Sequence, residues 1–160
     1  MLKLLRIILG LALSIWLGAL VMTLLAVTTL FARFPRATGS TVAVEGAPAV
    51  FAAFEESMRW VALAALLLSA LYALASRRKF AFIFPLITTA IATAMLFVSV
   101  VFITPKLNQL RVEDKSQSPE FRQGHSTSNV LYLIQLAGVA VSLTVLLASG
   151  NISSKPQKEL

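Results

Sequence analysis

Four long runs free of internal charge constrain this 160-residue chain more than any other feature. They cover 7–32, 60–76, 80–104 and 129–149. A helix needs about 20 apolar residues to cross a hydrocarbon core. Three runs meet that length, and 60–76 is marginal alone. Backbone groups in lipid must be satisfied within their own segment, so these runs are predicted to be helices. The expected fold class is all-α: a polytopic membrane protein, a four-transmembrane-helix bundle forming one domain over 1–160. The expected loops are 33–59 and 105–128, with a very short turn between the second and third spans.

Composition agrees. Hydrophobic residues make up 58% of the chain and charged residues only 13%, against roughly 25% charged in soluble domains. The mean hydropathy is +0.82. Too little polar surface remains to cover a water-soluble particle. The 14 Lys and Arg outnumber 7 Asp and Glu, but they form short clusters beside apolar runs. That arrangement suits anionic lipid head groups and control of insertion. It does not suit nucleic acid, which calls for a basic face interleaved with stacking aromatics. With no cysteine, disulfides, thiolate zinc sites and cysteine nucleophiles are excluded.

Lys3 and Arg6 precede the first run, as in a signal peptide. Its apolar stretch of about 25 residues exceeds the roughly 7–15 of a cleaved signal, so a retained helix is expected. Upstream of the second run, Phe51, Phe54, Met58 and Val61 form an apolar stripe at helical spacing. Pro48 suits a first helical turn, and Glu55 is placed to pair with Arg59 one turn on. This segment either lies in the interface or extends the second helix outward.

Orientation rests on Lys and Arg. Lys3, Arg6, Arg77, Arg78, Lys79, Lys155 and Lys158 fall on one side. Arg33, Arg36, Arg59, Lys106, Arg111, Lys115 and Arg122 fall on the other, a tie at seven each. The dense, acid-free "SRRKF" turn tips the expectation towards both termini in the cytoplasm, in the cell (inner) membrane.

Within the spans, Gly10, Ser14 and Gly18 recur every four residues, and Gln135, Gly138 and Ser142 share a helical face. Small residues let helices approach, and buried polar groups bond across the contact, so these are expected to be helix-packing residues. Gln135 is the one amide well inside a span and could instead line a transport path. Thr88, Thr89 and Thr93 form a polar seam or satisfy helix carbonyls. No ionisable residue lies deep in a span, which argues against a self-contained proton or cation carrier.

The remaining candidates lie in 105–128 and just beyond. Pro105 is expected to end the third helix, with Asn108 and Arg111 one turn apart after it. "VEDKSQS" reads as hydrated linker. Ser118, Pro119 and Glu120 read as a helix start, and "HSTSN" precedes the fourth span with capping residues of its own. His125 is the only histidine. A metal site would need several ligands at diagnostic spacing, so no metal or cofactor is expected.

"WLGALV" in the first span, "ITPKLNQLR" closing the third, and then Phe121, His125, Ser128 and Asn129 resemble the family of unknown function typified by transmembrane protein 205. The resemblance runs over nearly the whole chain and implies a four-span architecture. Pro105, Asn108 and Leu110 are also similar to a stretch in a four-span family related to anthrone oxygenases, which ranks second. The expected function is that of a non-enzymatic structural, partner-binding or small-solute-handling membrane component. An oxygenase-like membrane enzyme using His125, Asn108 and Arg111 at head-group level, and an oligomeric transporter, are the alternatives. Expected partners are the lipid bilayer, anionic head groups, and a second copy or another membrane protein.

Overall fold

Each apolar run becomes the centre of a longer helix in the computed structural model, which describes residues 2–34, 41–75 and 79–151. Helix α1 spans Leu2–Arg33 and α2 spans Val42–Ala75. Helix α3, Lys79–Val98, runs through a π-helical turn, Ser99–Ile103, into α4, Thr104–Val112. Helix α5 covers Pro119–Asn151. No strand occurs among the described residues. Four helical stretches are long and apolar enough to cross a membrane, with α3, the π-turn and α4 acting as one from Ile83 to Val112. The chain is an all-α four-helix bundle of the integral membrane type.

The packing forms a closed ring: α1 on α2, α2 on α3, α3 on α5 and α5 back on α1. The start of α1 therefore meets the end of α5, where the Arg6 guanidinium donates to the Leu147 carbonyl at 3.2 Å. Leu9, Leu13, Trp16 and Leu20 of α1 are fully buried at alternating four- and three-residue spacing, the rhythm of helices crossing at a shallow angle. Opposite them lie Ala62, Ala65 and Ser69 of α2, Thr89 and Ala92 of α3, and Gln135, Val139 and Ser142 of α5. Much of this interior is smaller and more polar than the outside, where Leu11, Met22, Leu67, Leu74 and Leu133 are exposed. Lipid is as apolar as leucine, so burial of apolar surface does not drive these helices together. Close approach of small residues does.

Three local features differ from the sequence-based expectation. Pro48 lies inside α2, not in its first turn, because the helix begins at Val42. The 48–59 segment is thus an outward extension of the second span. Pro105 does not end the third helix. A proline in an α-helix lacks one N–H and its ring strikes the carbonyl four residues back. Here the preceding turn widens, with the Thr104 N–H bonding the Ser99 carbonyl five residues back, and Pro105 sits in the first turn of α4. The helix then continues for two more turns. Finally, α5 starts at Pro119, so "HSTSN" lies inside one continuous helix and starts none.

The 105–128 connector accordingly shrinks to residues 113–118. It opens with a Schellman stop: the Lys115 N–H bonds the Leu110 carbonyl at 2.8 Å and the Asp114 N–H bonds that of Arg111 at 3.1 Å. Asp114 takes the left-handed conformation, φ 56°, that this motif requires. The turn closes with the Ser118 hydroxyl accepting from the Phe121 N–H at 3.1 Å, an N-cap followed by proline as the sequence suggests. Hydrogen bonds from Lys115 and Gln109 hold the Glu113 carboxyl below its usual range. Of the orientation charges, Arg36, Arg77, Arg78, Lys155 and Lys158 lie outside the described residues.

Candidate functional site

A cleft of about 590 Å³ opens at the end of the bundle opposite the N-terminus. Four segments build it: the last turns of α1, the first turns of α2, all of α4 with its turn, and the first turns of α5. Asn108, Arg111, His125 and Asn129 all line this one cleft. Gln135 lies deeper, in the bundle interior.

The positions follow from helix periodicity. Leu107 and Leu110 of α4 are buried, which turns Asn108 and Arg111, one turn apart, towards the cleft. On α5, Phe121, His125 and Ser128 recur at four- and three-residue spacing on one face. The two helices meet at Gly124, where a Cβ would stand 3.0 Å from Leu107 Cδ2. Only a glycine lets α4 and α5 approach this closely without moving Leu107.

Side chains in the cleft are linked in a row. Arg111 Nη1 donates to Asn108 Oδ1 at 2.8 Å. The guanidinium carbon lies 5.3 Å from the centre of the Phe121 ring, a cation–π contact. Phe121 in turn stacks on His125, with centroids 6.3 Å apart and planes 9° from parallel. Only one of the five N–H donors of the guanidinium is used by Asn108, so the fork keeps donors for a ligand.

Glu55 stands in the wall of the same cleft. Its expected partner was Arg59, but its Oε1 accepts instead from Ser99 Oγ at 2.8 Å and Thr104 Oγ1 at 2.9 Å. The π-turn is what brings these two hydroxyls to one carboxylate. The Arg59 guanidinium packs over Trp60 at 5.4 Å, and its Nε is buried without a hydrogen-bond partner. Apolar side chains complete the cleft, among them Leu24, Val27, Phe31 and Phe51. Among the described residues no three His, Cys, Asp or Glu side chains come together as a metal-holding group.

The polar seam of the interior is a separate feature. Ser142 Oγ lies 2.5 Å from Thr88 Oγ1, accepts from Thr89 Oγ1 at 3.1 Å and donates to the Gly138 carbonyl at 2.9 Å. Ser69 reaches Thr89 at 3.4 Å, and Thr93 donates to the Thr89 carbonyl at 2.8 Å. The seam thus ties α2, α3 and α5 together. Gly138 packs against α3, whereas Gly18 has nothing within 4 Å and Ser14 is exposed. Gln135 Oε1 and Trp16 Nε1 are buried without a partner.

Sequence reasoning missed Glu55, Thr104 and Arg122 as cleft residues. Glu55 carried a faint signal, since it falls four residues after Phe51 and seven after Pro48, on the face that opens into the cleft. Comparison of the chain with protein families, curated proteins and solved structures finds no match.

Proposed function

We propose that this integral membrane protein handles a small amphiphile, binding its anionic head in the cleft and its apolar part against the surrounding aliphatic and aromatic side chains. The observation that carries this reading is the Asn108–Arg111–Phe121–His125 row facing an apolar wall. A guanidinium with unused donors selects carboxylate or phosphate. Arg111 and Arg122 outnumber the single carboxylate, Glu55, which already accepts from two hydroxyls. Polar side chains from α2, α4 and α5 converging opposite apolar side chains of α1 and α2, in a cleft of several hundred Å³, suit a small-molecule site. Phe121, His125, Ser128 and Asn129, through which the chain resembles the family typified by transmembrane protein 205, all line the cleft. The proposed setting is the cell (inner) membrane with both termini cytoplasmic, so the cleft faces away from the cytoplasm.

The test is binding of a fluorescent long-chain carboxylate and its matching alcohol to the detergent-solubilised protein. The carboxylate should bind about tenfold tighter, as expected for one charge-assisted hydrogen bond. R111Q should remove that preference, F51A should weaken both ligands, and E55Q should strengthen the carboxylate by removing a like charge. Equal affinity for acid and alcohol in the unaltered protein would defeat the proposal.

A further inference from the structure

A second concavity, of about 490 Å³, lies at the opposite end of the bundle between α1 and α5. Its mouth carries Lys3 and Arg6, and no carboxylate lines it. Below them it runs along α1 over Gly10 and Ser14, walled by Leu143 and Leu147. Eight residues separate Arg6 from Ser14, about 12 Å of helix rise.

The small residues on its floor are not required by packing within the chain. A Cβ at Gly10 would meet Leu146 Cδ2 at 3.7 Å, an ordinary contact that alanine would satisfy. Ser14 is exposed. What these residues create is a channel whose floor is close to the helix backbone. Arg6 spends one donor on the Leu147 carbonyl, which fixes the guanidinium at the mouth and leaves its other N–H groups for a ligand.

We propose that this groove binds one anionic phospholipid from the leaflet that faces the N-terminus, with its phosphate on Lys3 and Arg6 and one acyl chain over Gly10 and Ser14. A soluble anion would leave the apolar channel unused, and a neutral lipid would leave both cations unused. A second copy of the chain fits less well. Copies in one membrane share an orientation, so a two-fold contact along Gly10, Ser14 and Gly18 would set Lys3 and Arg6 against their own counterparts. Like charges so placed oppose association. The site is independent of the cleft at the other end.

The test is native mass spectrometry and lipid exchange on the full-length protein, using phosphatidylglycerol and phosphatidylcholine of matched chains. One phosphatidylglycerol should stay bound per chain in preference to phosphatidylcholine. The double variant K3Q/R6Q should lower that affinity roughly 30-fold, as two basic residues near an anionic surface imply. S14F, which fills the channel and keeps both charges, should lower it as well, whereas L67F, on the exposed side of α2 and outside both concavities, should not. Equal retention of the two lipids overturns the proposal without any variant. Unchanged lipid binding in S14F overturns it too, by reducing the effect to general surface charge. A dimer that S14F and G18F dissociate, with lipid binding untouched, would give the groove to a second copy.

Discussion

A Cβ at Gly138 would stand 3.1 Å from the Thr88 carbonyl oxygen and 3.2 Å from Ala92 Cβ, while one at Gly18 would meet nothing within 4 Å. The Thr88 oxygen is backbone and cannot step aside. G138A should therefore push α5 from α3 and destabilise the bundle by about 1–3 kcal/mol, whereas G18A should leave the melting temperature in detergent unchanged or raise it, since alanine favours helix over glycine. Gln135 yields a prediction of the opposite sign. Its Oε1 is buried with no partner, and an unmet polar group costs about 1–3 kcal/mol. Q135L should thus melt at the same or a higher temperature; a marked loss of stability would show that the amide is satisfied after all, by water for example. In sequence, Gly10, Gly18 and Gly138 look equivalent, each a small residue at four-residue spacing from another. Spacing reveals which residues share a helical face. It does not reveal whether that face meets a helix or lipid.

Among the helix ends, the start of α5 was legible, because caps are local chemistry. Ser118, Pro119 and Glu120 announce the start of α5, and the Ser118 cap forms. The stop at the end of α4 was harder to read, since its left-handed residue is Asp114 and not the glycine that usually marks one. Replacing it with a β-branched residue should cost about 1 kcal/mol or more. D114V should therefore lower the melting temperature, and D114G should preserve or raise it. Pro105 misled for a physical reason. Proline forbids one hydrogen bond, but a π-turn absorbs the defect when the flanking sequence favours helix and the bundle supports it. That absorption also brings Ser99 and Thr104 to Glu55, so a pairing that looked like a simple Glu55–Arg59 step along one helix became a contact between helices.

For the whole molecule, the decisive geometric fact is that the two concavities lie at opposite ends, the cleft towards one face of the membrane and the α1–α5 groove towards the other. The absence of cysteine makes their sidedness directly measurable by single-cysteine labelling. In right-side-out vesicles, Q117C should react with a membrane-impermeant maleimide added outside, and S153C only after permeabilisation. The reverse pattern would invert the proposed orientation. A pattern with both residues on one side would contradict the four-span topology itself.

By itself, the sequence determined the class of this protein: charge-free runs of spanning length must be helical in lipid, and four of them within 160 residues make a four-helix membrane bundle. It also determined a region, because polar residues cluster at the two ends of the runs. Tertiary structure decided the site. Asn108 and Arg111 on α4, His125 and Asn129 on α5, and Glu55 on α2 belong to segments far apart in the chain, and only helix packing turns their faces towards one cleft. It decided the interior as well, since in a membrane both the packed and the lipid-facing sides are largely apolar, and here the packed side is the smaller and more polar of the two. Hydrophobic periodicity, the usual guide to a core, carries little information there, and only the neighbours of each small or polar residue show what it does.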